Sequence, residues 1–113
     1  MRYYHNPRCS KSRQALALLQ ARGIEPELVA YLDTPPSPEA LEQLLGKLGI
    51  GARELLRKGE SEYAELGLGD PALDEATLVE AMAAHPILIE RPIFENGERA
   101  VIGRPPERVL ELL

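Results

Sequence analysis

Residues 2–31 read RYYHNPRCSKSRQALALLQARGIEPELVAY. Arg2-Tyr3-Tyr4-His5 reads as a short strand, and Asn6-Pro7 is a turn signal. From Ser10 to Arg22 the apolar residues Ala15, Leu16, Leu18 and Leu19 recur at helical spacing, with Gly23 as the stop. Glu27–Tyr31 reads as a second strand, with Leu28-Val29-Ala30 as its core. Strand, helix and strand in so short a span predict a β-α-β unit, parallel and right-handed.

Working outward, Thr34-Pro35-Pro36-Ser37-Pro38 stops the second strand and opens a helix. Ser37 is its predicted cap and Pro38 its first residue. Leu41, Leu44, Leu45 and Leu48 form the stripe of that helix, and Gly49 ends it. Ala52–Leu56 reads as a short helical turn. Gly59–Asp70 is polar and glycine-spaced, with short helical pieces expected around Tyr63 and Leu66. Asp74 caps a helix running to about Ala84, with Leu78, Val79 and Met82 turned inward, and His85-Pro86 ends it. Ile87-Leu88-Ile89 reads as an approach strand. Pro92-Ile93-Phe94 and Ala100-Val101-Ile102 read as two strands joined at Asn96-Gly97, a preferred hairpin turn. Pro105-Pro106 opens a last amphipathic helix with Val109, Leu110 and Leu113 on its apolar face. This order predicts an α/β fold with a mixed four-stranded sheet flanked by helices. A thioredoxin-like fold has the same order, with the helical block as an insertion.

At 113 residues the chain has the size of one domain, expected to span 1–113 with a helical insertion at about 38–84. Its composition, 44% hydrophobic and 27% charged, is that of a globular protein. No apolar run is long enough to cross a bilayer and no signal peptide opens the chain, so a cytoplasmic protein without a membrane role is expected. A net charge of −5 argues against nucleic-acid binding. Ten of the thirteen basic residues are arginines. Their planar forks suit anions, although most arginines are solvated surface charges. Nothing in the chain indicates the oligomeric state; a monomer is the default expectation.

Cys9 is the only cysteine. It follows a strand and a turn and precedes a helix, where free N–H groups and the helix dipole favour an anion such as a thiolate. Helix N-termini and nearby cations move a thiol from about 8.5 into the range of about 3.5–7.5. Arg8, Lys11 and Arg13 lie close in sequence, and the hydroxyls of Ser10 and Ser12 stand within reach of the sulfur. His5, at the strand end, adds positive charge if protonated. The alternative is a small buried hydrophobe, which the polar, basic neighbours disfavour. His85, at a helix end, reads as structural. Other chemistries lack their residues. A Cys-x5-Arg phosphatase loop would need arginine where Ala15 stands. One cysteine and two histidines are too few for the usual zinc sets, and neither a Walker loop nor a dinucleotide fingerprint occurs. No metal and no bound cofactor are therefore expected. With one cysteine no internal disulfide forms, so any resolving thiol must come from another molecule.

Five segments then become recognisable. They are His5-Asn6-Pro7-Arg8-Cys9-Ser10-Lys11-Ser12-Arg13, Tyr31-Leu32-Asp33-Thr34-Pro35-Pro36, Arg53-Glu54-Leu55-Leu56-Arg57, His85-Pro86-Ile87-Leu88-Ile89-Glu90-Arg91-Pro92-Ile93 and Ile102-Gly103-Arg104-Pro105-Pro106-Glu107. In order and spacing they resemble the glutaredoxin-coupled arsenate reductases of the thioredoxin-like superfamily, and more nearly their chromosomal-type branch. The resemblance implies that Cys9 is the nucleophile and that His5 and Ser12 favour its thiolate. It implies that Arg57, Arg91 and Arg104 hold the oxyanion, and that Arg91-Pro92 is the cis-proline site facing the cysteine. It further implies arsenate as substrate, glutathione as co-substrate and glutaredoxin as partner. Arg2, Arg22, Arg53, Arg99 and Arg108 match no such position and read as surface charges. The same fold serves Spx-type regulators, which bind RNA polymerase and sense oxidation through Cys-x-x-Cys. Ser12 occupies the second position of that motif here, which excludes such an internal switch. A thiol oxidoreductase acting on another substrate and a binding domain with a decayed site are the remaining alternatives.

Overall fold

A computed structural model describes residues 1–113, which divide into two compact units. Met1–Thr34 and Arg91–Leu113 make the first; Pro35–Glu90 makes the second.

The first unit holds strand β1 (Arg2–Tyr4), helix α1 (Ser10–Ala21) and strands β2 (Glu27–Val29), β3 (Ile93–Asn96) and β4 (Arg99–Ile102). The strands form one mixed sheet in the order β2-β1-β3-β4. β1 runs parallel to β2, with Tyr4 opposite Val29, and antiparallel to β3, with Tyr3 opposite Phe94. Alternation along the strands sends Tyr3, Phe94 and Val101 to one face. There they join Ala15 and Leu19 of α1 and Val109 near the C-terminus in a buried core. Gly103 is required by that packing. A Cβ on it would lie 2.9 Å from Pro92 Cγ and 3.0 Å from Val109 Cγ1.

The structure departs from the sequence expectations in these elements and in the segment before β3. β2 stops at Val29 rather than Tyr31, because the chain turns there: Asp33 and Thr34 both donate N–H to the Ala30 carbonyl. It is an edge strand, and Leu28, expected in its core, is 54% exposed. Ile87–Ile89 is not a strand. Pro86–Leu88 forms a 3-10 turn closed by Ile89 N–H on the Pro86 carbonyl, and only Ile89 bridges, to Leu56. The hairpin turn is Gly97-Glu98, one residue later than expected, since Asn96 pairs with Arg99 and donates its side chain to the Leu112 carbonyl. Gly97 alone carries the positive φ (63°), as the first central residue of a II′-type turn. The last helix, Pro106–Leu112, is 3-10 throughout.

The second unit is helical: α2 (Pro38–Leu48), α3 (Ala52–Leu55), α4 (Ser61–Glu65) and α5 (Glu75–Ala84). α2 and α3 pack on α5, burying Leu41, Leu44, Leu45, Leu55, Leu78 and Met82. The Ser37 hydroxyl accepts the Ala40 N–H at 3.1 Å, and the Asp74 carboxylate accepts that of Thr77 at 2.9 Å. Both predicted caps are thus in place. Arg53, read as a surface charge, instead donates to the carbonyls of Leu68 and Asp70 and fastens the loop after α4. No helix is long and apolar enough to cross a membrane.

Candidate active site

Sheet pairing decides what meets Cys9. Tyr4 at the end of β1 lies opposite Ile93, which lies opposite Ile102 at the end of β4. The residues just beyond these ends, His5, Arg91 and Arg104, therefore gather at one edge of the sheet. Cys9 reaches the same edge as the N-cap residue of α1. Its extended backbone (φ −92°, ψ 121°) lets its carbonyl accept the Arg13 N–H at 3.1 Å, while its own N–H closes the turn on the Asn6 carbonyl at 3.0 Å.

The sulfur sits among donors. Arg104 Nη2 is 3.8 Å from Cys9 Sγ, and Arg104 Nε donates to the Arg91 carbonyl at 2.7 Å, which aims one arginine by the backbone of the other. Partial burial pushes the Cys9 thiol up. The Ser12 backbone N–H, the Arg91 guanidinium and the Lys11 backbone N–H outweigh that effect and hold it below the ordinary thiol value. The Arg91-Pro92 and Arg104-Pro105 peptide bonds are both cis.

His5 and Ser12 are joined, at 2.6 Å between His5 Nδ1 and Ser12 Oγ. The same hydroxyl, fully buried, accepts the Asn6 N–H at 3.1 Å. Burial, with Arg13 nearby, lowers the His5 pKa and so favours the neutral ring. Arg91 and Arg104 bring positive charge to the sulfur. Ser12 differs from expectation: its hydroxyl ties the strand end to the helix, and its backbone N–H serves the sulfur.

Two further residues contribute, Tyr3 and the Asn6 side chain. Tyr3 donates its hydroxyl to the Ser12 carbonyl, and burial helps push its pKa up to about 12, so it stays a neutral donor. The Asn6 side chain accepts the Arg8 N–H at 3.0 Å and shapes the cysteine turn. Asn6-Pro7 carried a turn signal for the second; the first depends on a contact between β1 and α1 that no local pattern encodes. Arg57 belongs to the helical unit. There it pairs with Glu60 at 2.8 Å, and its backbone N–H donates to the Leu88 carbonyl. The structure thus gathers Cys9, His5, Ser12, Arg91 and Arg104 in one unit and leaves Arg57 in the other.

The ArsC family model matches residues 4–112. The chain belongs to the ArsC family. This ArsC-family chain is 48% identical to the arsenate reductase of Neisseria meningitidis serogroup A, across its whole length and 97% of that protein. It is 52% identical to the uncharacterized protein YfgD of Escherichia coli (strain K12), across its whole length and 96% of the relative. A solved structure of arsenate reductase from Vibrio cholerae superposes with a TM-score of 0.97 at 51% identity, covering all of this chain and 98% of that one. The α/β thioredoxin-like architecture expected from the sequence is the fold of this family.

Proposed function

We propose that this ArsC-family protein reduces arsenate to arsenite through a covalent Cys9 adduct, with glutathione and glutaredoxin as the external reductants. The observation that carries the reading is the Arg104 guanidinium 3.8 Å from a Cys9 sulfur held below its ordinary pKa. A thiolate approaching a tetrahedral dianion meets charge repulsion. Arginine forks offset it and steady the departing oxygen.

The Cys9 thiolate attacks arsenic, and one oxygen leaves as hydroxide or water. Glutathione thiolate then replaces a second oxygen on arsenic, again losing water. Neither step changes the oxidation state. A glutaredoxin thiolate next attacks the glutathionyl sulfur. The sulfur–arsenic bond breaks with its electron pair going to arsenic, which becomes trivalent, and a glutaredoxin–glutathione disulfide departs. Hydrolysis of the remaining Cys9–arsenic bond releases arsenite and returns the thiolate. Arg91 and Arg104 hold the oxyanion in this scheme, and His5 and Ser12 position the turn that bears the sulfur. All electrons come from the two external thiols, so no bound cofactor is needed. Dependence on reduced thiols fits the cytoplasm.

The test is an arsenite-formation assay with glutathione and glutaredoxin on the wild type, Cys9→Ser and Arg91→Ala. Arsenite above background from the wild type alone, with Arg91→Ala reduced, supports the reading. No arsenite from the wild type overturns the substrate; activity surviving in Cys9→Ser overturns the mechanism.

A further inference from the structure

The cysteine turn has two sides. In the sheet order β2-β1-β3-β4, Arg91 and Arg104 come from the β3–β4 side of β1. On the β2 side is a cavity of about 310 Å³. Its walls are the turn His5–Arg8, which follows β1, and Ala30, Leu32 and Asp33, which follow β2. β1 and β2 are the parallel pair of the sheet, and ligands of α/β proteins bind outside the carboxyl ends of parallel strands. The volume is at the small end of the range for ligand sites, about 300–1,000 Å³.

The lining differs from the arginine side in charge. It has one guanidinium, Arg8, and one carboxylate, Asp33, both exposed, together with the His5 ring, polar Asn6 and apolar Pro7, Ala30 and Leu32. An arsenate dianion would face the Asp33 carboxylate there. A group carrying a carboxylate and an ammonium on one carbon meets a partner for each. The turn also ends at Cys9, whose N–H bonds back to the Asn6 carbonyl.

We infer that the cavity between the cysteine turn and the end of β2 is the subsite for the thiol co-substrate, with Arg8 taking the α-carboxylate and Asp33 the α-ammonium of its γ-glutamyl end. This deepens, and rests on, the glutathione-dependent reading above. It gives the two reactants separate approaches to the cysteine turn: the oxyanion meets the sulfur from the arginine side, and the thiol reaches the sulfur-bound arsenic from the β2 side.

The test contains no arsenate, so it stands apart from the substrate assignment. The full-length protein is converted to the thionitrobenzoate mixed disulfide of Cys9. A thiolate attacks the Cys9 sulfur and expels the coloured aromatic thiolate, which reports the rate. Glutathione is compared with 2-mercaptoethanol, which lacks both charged groups, and with 3-mercaptopropionate, which lacks the ammonium. In the wild type the rate saturates with glutathione and rises linearly with 2-mercaptoethanol. Arg8→Ala and Asp33→Asn each lower the glutathione to 2-mercaptoethanol rate ratio about fivefold, the size of one exposed charge-assisted contact. Asp33→Asn leaves the 3-mercaptopropionate ratio unchanged. An unaltered 2-mercaptoethanol rate shows that each variant is folded around Cys9. A glutathione ratio within twofold of wild type in both variants overturns the subsite, as does a wild-type rate that never saturates.

Discussion

The N-termini of α1 and α2 solve the same problem in opposite ways. Each helix begins with N–H groups that have no partner within it. At α2 the Ser37 hydroxyl accepts one of them, from Ala40, and α5 repeats the solution with Asp74 and Thr77. At α1 the N-cap residue is Cys9, whose side chain makes no cap hydrogen bond. The N–H groups of Lys11 and Ser12 are left to the sulfur, where they favour its charge. A capped end is finished as structure. An end capped by a thiol keeps its dipole for chemistry.

The largest effect is expected from making α1 like α2. Cys9→Ser installs an ordinary cap, worth up to about 1 kcal/mol of stability, and removes the nucleophile. Arsenite formation should fall to background while the urea midpoint holds or rises. A fall in both would mean that the sulfur is structural.

Next is the charge that α2 lacks. Arg104→Ala takes away the guanidinium beside Cys9, and kcat/KM for arsenate should drop about 100-fold, the usual scale for one preorganised donor. The Cys9 pKa should rise in the same variant.

Breaking the structural end has a smaller and different effect. Ser37→Ala should cost about 1 kcal/mol in denaturant unfolding and leave the Cys9 alkylation rate unchanged.

The smallest effect is in acid. The Thr77 side chain and N–H hold the Asp74 carboxyl below its ordinary value. Its contribution is therefore complete above the unfolded carboxylate pKa and is lost as pH falls through the depressed folded one. Asp74→Ala should flatten that part of the stability–pH curve.

The contrast also separates what was legible in the sequence from what was not. Ser37 and Asp74 cap by contacts three residues away, so local pattern reveals them. The β-α-β opening and the place of Cys9 at a helix mouth are local in the same sense. The pattern of Leu28-Val29-Ala30 predicts a longer β2 than the structure has, because nothing in it says that the strand lies at an edge. Ile87–Ile89 is apolar enough for a strand, but the proline before it sets a 3-10 turn. The arginines were hidden more deeply. Arg91 and Arg104 reach Cys9 through the pairing of β1, β3 and β4, across more than eighty positions of sequence, and only the family resemblance picked them from ten. The resemblance named His5 and Ser12 as well, but their hydrogen bond and the lowered His5 pKa belong to the folded chain alone.

The most direct measurement is the pKa of Cys9, read from its alkylation rate against pH, with the Arg104→Ala variant alongside. A midpoint below the ordinary thiol value of about 8.5 is expected, moving upward in the variant. A midpoint at or above that value in the wild type would contradict the reading of the α1 N-terminus as a thiolate site.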